Sequence, residues 1–237
     1  MGQSYFIWKN RDCRSMGVWM QGPAPIIRAE ERVNHVEIPG RSGDLTETEG
    51  NDIYNSYIQT VTILVKGGAH VREVYRWLRG AGFVTFSGEP DRKQAARVIG
   101  AVTLTKHSFN LDWWTGECQF YCQPLKQLLH TQKVNVTSSG TSVMNSGDVE
   151  SRPLIKLTAS GSSATVAAGG KSLTVTGLTS GNSYMIDSET MEVTNAAGTE
   201  SLTANSSGDW PVLAPGANSV TGSGWSALEI DRRERFL

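Results

Sequence analysis

Three carboxylates, Asp187, Glu189 and Glu192, crowd one short stretch of this 237-residue chain. A sugar hydrolase sets two carboxyl groups on either side of the bond it breaks. Acids this close in sequence have a simpler reading, as the tip of a hairpin, Ile186-Asp187-Ser188-Glu189-Thr190, where Asp and Ser satisfy turn backbone. Ser42 lies in Gly40-Arg41-Ser42-Gly43-Asp44, which is not the G-x-S-x-G elbow of a nucleophilic serine. Only a base brought near by folding would activate it. His35, His70, His107 and His130 are scattered without metal-ligand spacing, so no zinc site is expected. The odd count of three cysteines, Cys13, Cys118 and Cys122, is not a disulfide framework. Two residues four apart on a strand are separated by about 13 Å, beyond disulfide reach. Three buried, reduced thiols from a reducing cytosol are the expectation.

Aromatic rings can stack on sugars, which brings in Trp113-Trp114, within residues 110–116, and Trp210 and Trp225. Neighbours on a strand face opposite ways, so at least one of Trp113 and Trp114 belongs to a core or an interface. A β-sandwich commonly buries a core tryptophan as well. Arg72, Arg76 and Arg79 could hold a phosphate, but such a row is more often the solvated face of a packed helix. No cofactor, metal or catalytic constellation emerges, and the chain reads as a non-enzyme.

The elements that position these residues follow from pattern. Charged residues make up 19% of the chain, Gly is abundant at 25, and Ser and Thr are frequent, which favours a turn-rich, mainly β protein. Residues 1–127 carry 15 Lys and Arg against 13 Asp and Glu, and residues 128–237 carry 7 against 10. Neither half has the basic excess on which nucleic-acid affinity rests, so sequence-specific nucleic-acid binding is not expected. The first residues lack the apolar core of a signal peptide, and no apolar run approaches the ~20 residues of a membrane span.

Residues 39–52 open with Pro39-Gly40-Arg41-Ser42-Gly43-Asp44-Leu45, a backbone committed to bending, and continue polar. A long strand follows over residues 57–65, with Tyr57, Val61, Ile63 and Val65 on one face. Strands are also read at 4–9, 17–20, 33–38, 83–86, 96–106 and 117–123, with Cys118, Phe120 and Cys122 sharing a face. One helix is predicted over 69–79, its apolar stripe formed by Val71, Val74, Tyr75 and Leu78. Strands flanking one helix make a first domain, residues 1–127, in which the helix covers one face of a largely antiparallel sheet. Residues 124–130 read as a connector. Beyond them helical periodicity vanishes, and short strands at 154–158, 164–167, 172–176, 183–186, 192–195, 218–221 and 226–230 argue for a β-sandwich spanning 128–237.

Several blocks resemble the distal tail protein of long, flexible-tailed bacteriophages, the siphophage tail-component family. Val36-Glu37-Ile38-Pro39-Gly40-Arg41-Ser42-Gly43-Asp44 is similar to the family's "vpGRsGdl" loop before a long strand. Phe120-Tyr121-Cys122-Gln123-Pro124 is similar to its first-domain end, and Asn145-Ser146-Gly147 with Arg152-Pro153-Leu154-Ile155 to the entry of its second domain. Gly208-Asp209-Trp210-Pro211-Val212-Leu213 and Pro215-Gly216-Ala217-Asn218 are similar to later blocks. The resemblance implies an N-terminal β-sandwich domain with one helix, forming a hexameric ring around a DNA-exit channel, and a galectin-like C-terminal sandwich. It implies a homo-hexamer, single or stacked, at the distal end of the virion tail. Its partners would be the tail-tube protein, the tail-tip hub or tail-associated lysin, and in some phages receptor-binding proteins. No membrane is involved. Arg41 and Asp44 are expected at a subunit or tube interface. The competing expectation is a carbohydrate-binding adhesion module acting through the C-terminal sandwich.

Overall fold

The computed structural model describes residues 4–48, 50, 52–107 and 112–237. Asn110 and Leu111, read above with the Trp113-Trp114 segment, lie outside these residues, as do Glu49 and Asn51 of the 39–52 stretch. The chain packs as two compact units, one comprising Met1–Leu129 with Leu237 and the other His130–Phe236.

The first unit is built from β1 (Phe6–Trp8), β2 (Arg11–Asp12), a 3-10 turn (Cys13–Met16), β3 (Val18–Met20), β4 (Val33–Glu37) and β5 (Asp44–Thr48). These lead to β6 (Tyr57–Lys66), α1 (Gly68–Trp77), β7 (Ala81–Phe86), β8 (Arg92–Lys106) and β9 (Trp113–Leu128). Its main sheet runs β2-β1-β7-β8-β9-β6-β3, with every paired neighbour antiparallel. Alternation along β6 buries Val61, Ile63 and Val65, and alternation along β9 buries Cys118, Phe120 and Cys122. Phe6, Trp8 and Val84 come from strands on the other side of β9, and the three sets form one core. Phe120 is its hub: its ring meets Phe6, Trp8 and Phe86 edge-on at 5.5, 5.3 and 5.8 Å. Edge-to-face geometry lets the positive ring edge meet the negative ring face.

The helix closes this core by a stripe shifted from the one predicted. Val74, Trp77 and Leu78 are buried, whereas Tyr75 is 40% exposed. The ring of Trp77 stacks on Phe6 at 5.5 Å. Its indole N–H donates to the carbonyl of Trp8, and the indole of Trp8 donates to the carbonyl of Trp77. This reciprocal pair satisfies both buried indoles and rotates the helix so that its largest apolar residue faces inward. Tyr75 is left at the margin, where its hydroxyl accepts the backbone N–H of Leu104 at 3.2 Å. Arg72, Arg76 and Arg79 are all exposed.

Two further departures concern backbone. The connector predicted at 124–130 is strand through Leu128, because β9 continues beside β8. Pro124 is accommodated because the register between β8 and β9 shifts between Gln94 and Ala96, and β6 pairs only as far as Cys122. A residue without an N–H is tolerated where no ladder bond is required. The second departure lies within residues 39–52, where Asp44–Thr48 is strand.

The second unit is a sandwich of two five-stranded sheets. Its strands are β10 (Lys133–Val136), β11 (Thr141–Asn145), β12 (Leu154–Ala159), β13 (Ser163–Ala168), β14 (Lys171–Thr176), β15 (Ser183–Asp187), β16 (Glu192–Asn195), β17 (Ser206–Gly208), β18 (Gly216–Ser223) and β19 (Trp225–Asp231). One sheet runs β10-β19-β12-β15-β16, the other β11-β18-β13-β14-β17. Inward residues such as Ile155, Leu157, Ile186, Leu228 and Ile230 from one sheet meet Val143, Val166, Leu173, Val175 and Val220 from the other. Each such side chain stabilises the fold by about 1.5–3 kcal/mol through removal from water. The three sandwich strands absent from the sequence reading, β10, β11 and β17, are short and bury at most one apolar side chain each.

Candidate interaction surface

The segment that begins at Pro39 is half of a protruding two-stranded ribbon. In place of a polar loop through Asp52, the chain forms β5, which pairs antiparallel with β4 in the register Val33↔Thr48, Asn34↔Glu47, His35↔Thr46, Val36↔Leu45 and Glu37↔Asp44. Asp44-Leu45-Thr46-Glu47-Thr48 carries one apolar residue, so no alternation marks the strand, and the β-branched Thr46 and Thr48 are its only local sign. Gly40 and Gly43 hold φ values of +81° and +82° in the connecting turn, a region that residues with a Cβ avoid. The backbone N–H of Arg41 donates to the carbonyl of Ile38 at 3.1 Å.

The ribbon pairs with no other sheet among the described residues, and every residue of either strand except Val33 is exposed. Its base is tied down where Glu31 bridges Tyr54 and where the N–H of Asn55 donates to the carbonyl of Glu30 at 2.7 Å. An isolated two-stranded hairpin is at best marginally stable in water. Here Val36 and Leu45, 43% and 38% exposed, lie directly opposite one another on one face. Glu37 and Asp44 are paired on the other face, a like-charge juxtaposition that costs stability while they stay in water. Arg41 and Asp44, the residues predicted at an interface, are thus both exposed, one in the turn and one opening β5.

The other candidates are tied into the fold. Asp187 accepts both guanidinium nitrogens of Arg233, at 2.7 and 3.0 Å, and the backbone N–H groups of Glu189 and Thr190. Burial alone would raise its pKa, but the bonds from Arg233 and the turn backbone outweigh it, and the carboxyl sits below its ordinary value. Glu189 accepts from Arg235 at 2.6 Å. Carboxylates held by arginine and turn backbone have the geometry of a structural knot. Ser42 lies exposed in the ribbon's turn. Among the described residues no group of three or more His, Cys, Asp and Glu is placed to hold a metal ion. The three thiols are free and buried; burial pushes Cys118 and Cys122 up to about 12.

The tryptophans divide between core and surface layers. Trp114 packs against the first core, while Trp113 sits 5.5 Å from Trp19 and under the ammonium of Lys66. Trp210 and Trp225 pack against the sandwich core, and the indole of Trp225 donates to the carbonyl of Thr165 at 3.1 Å. No helix among the described residues is long and apolar enough to cross a membrane.

Sequence reasoning missed a second exposed surface, on the outer face of the main sheet. Ile58, Tyr121 and Arg97 are cross-strand neighbours on β6, β9 and β8, with Phe83 nearby on β7, and Ile58, Phe83 and Tyr121 are 50%, 42% and 41% exposed. The available sign was the other face of β6, where Ile58 and Leu64 stand with Thr60 and Thr62.

No protein-family model matches the chain, and no curated protein matches it in sequence. Among solved structures, the Dit protein (gp 19.1) of phage SPP1, described as a paradigm of hub adsorption apparatus in Gram-positive infecting phages, superposes with a TM-score of 0.80 at 19% identity. The match covers 100% of both chains. A structure of the phage p2 baseplate in its activated conformation matches with a TM-score of 0.53 at 10% identity over 99% of both chains. Along its whole length, across both compact units, the chain has the fold of a siphophage distal tail protein.

Proposed function

We propose that the protein is a structural component of the tail tip of a long-tailed phage, a distal tail protein whose first unit assembles into a hexameric ring. The ring joins the tail tube to the tip hub or baseplate and leaves a channel through which DNA is ejected. Receptor-binding proteins dock on its periphery, and the role is architectural, with no catalysis. The observation that carries this reading is the full-length correspondence of fold with the Dit protein of SPP1, a match that spans both units in one chain. The exposed ribbon supports it, because a ring of identical subunits needs a heterologous contact, one surface on each copy meeting a different surface on the next. A formal net charge of −1 suits a channel that passes DNA without holding it. Arg41 and Asp44 are assigned to the subunit or tube interface.

Light scattering behind a sizing column tests the assembly. A mass of six times 25.7 kDa, or a multiple, with a central channel on imaging, is the expected result. A strict monomer at every concentration, which also fails to co-purify with tail-tube and tip proteins expressed beside it, would overturn the reading.

A further inference from the structure

The first unit exposes two apolar surfaces that its own chain leaves uncovered, and the charged residue beside one is opposite in sign to that beside the other. One is a shallow depression of about 570 Å³ on the outer face of the main sheet. It is lined by Ala81 and Phe83 of β7, Ala95 and Arg97 of β8 and Tyr121 of β9, with Arg97 directly opposite both Ala81 and Tyr121. Alanines beside two exposed aromatic rings leave room for a branched aliphatic side chain. The ammonium of Lys93 lies 5.1 Å from the ring centroid of Phe83, so the surroundings are basic. The other surface is one face of the ribbon. Strand alternation places Val36, Leu45 and Glu47 together there, with Ile38 beyond the last pair. All four are exposed.

We infer that the ribbon of one copy lies across this depression on a second copy, with Val36 and Leu45 seated between Phe83 and Tyr121 and Glu47 facing Arg97. Three observations select a second copy as the occupant. The ribbon does not fill the depression on its own chain, because both surfaces remain exposed. The apolar pair on the ribbon comes with an acid, and the apolar residues lining the depression come with an arginine, so the two are complementary in charge. The surfaces differ from each other, so the contact is heterologous and propagates from copy to copy. Covering Val36 and Leu45 also supplies the packing that a free two-stranded ribbon lacks. The inference rests on the ring reading only for closure into a hexamer.

Light scattering of the full chain reads the contact, with circular dichroism confirming folding. Glu47→Arg and Arg97→Glu each weaken association, by about tenfold for loss of an interface anchor, and the double exchange restores it. Leu45→Cys with Tyr121→Cys gives an intermolecular disulfide ladder under mild oxidation, since the native thiols are buried. If the wild-type chain forms hexamers but the single exchanges associate as wild type and no ladder forms, the inferred contact is wrong and the ring reading stands. Hexamers lost in either single exchange and not recovered in the double one likewise overturn the pairing. If the wild-type chain stays monomeric and the cysteine pair still gives no ladder at high concentration, the contact is again refuted, and co-purification with tail proteins decides the ring separately.

Discussion

Replacing Asp187 by Asn tests whether the acid cluster is a structural knot. In the wild-type protein Oδ1 accepts the N–H of Glu189 at 2.9 Å and one nitrogen of Arg233 at 2.7 Å, while Oδ2 accepts the second nitrogen at 3.0 Å. An asparagine keeps the first two acceptances through its carbonyl oxygen. Its amide nitrogen then meets the second guanidinium nitrogen, so that two donors face each other. One charge-assisted bond is lost, worth about 1.5–3 kcal/mol. Two features reduce that figure. The side chains of Arg233 and Asp187 keep 25% and 21% of their exposure, and Arg233 retains Glu189 at 3.6 Å. The expected loss is therefore about 1–2 kcal/mol, and in a ~100-residue unit each 1 kcal/mol shifts Tm by about 4–8 °C. Differential scanning calorimetry at pH 7 should show the affected transition falling by roughly 4–16 °C. Because the folded carboxyl lies below its unfolded value, its stabilisation is present above about pH 4 and is lost as pH falls through the folded pKa. The gap between wild type and Asp187→Asn should therefore close under acid. An Asn variant that melts within about 1 °C of wild type at pH 7, or a gap that persists unchanged to pH 2, would refute the knot.

Phe120→Ala, which empties the centre of the first core, should cost about 3–5 kcal/mol and show an earlier urea midpoint with little change in m. Glu89→Ala should cost about 3 kcal/mol, because it strands Lys126, whose side chain is 5% exposed and bonded to Glu89 at 2.7 Å; Lys126→Met should be far milder, and equal losses in the two variants would contradict a buried pair. At Gly116 an added Cβ would lie 2.0 Å from the carbonyl oxygen of Thr103, so Gly116→Ala should prise β8 from β9 and lower Tm, whereas an unchanged melt would contradict that close approach. A thiol reagent should leave all three cysteines unmodified in the native state and titrate them only on unfolding. Since Cys118 and Cys122 are raised from 9.0 to about 12, their neutral forms favour the fold fully below pH 9, and stability should fall as pH climbs from there toward 12.

Local pattern settled much of this molecule. The strict alternation of Tyr57, Val61, Ile63 and Val65, and of Cys118, Phe120 and Cys122, placed the core face of β6 and β9 without any tertiary information. Seven strands of the sandwich were legible for the same reason, since a half-buried strand must alternate and its turns need Gly, Asn or Ser. The acid cluster was readable as a hairpin tip, but its neutralisation was not, because Arg233 lies far along the chain and meets Asp187 only when the fold brings its strands together. The burial of Trp77 in place of Tyr75 was decided by Trp8 and Phe6, which offer an indole a ring to stack on and a carbonyl to bond. Strand β5 was hidden because both of its faces are exposed, so no hydrophobic alternation marks it. That strand and the depression beside Tyr121 are the surfaces proposed to join copies. Their exposure is a property of the three-dimensional arrangement, in which the ribbon stands clear of the sheet and the sheet leaves its outer face uncovered. The sequence of either surface reads the same whether it is covered or open, so only the tertiary structure could decide it.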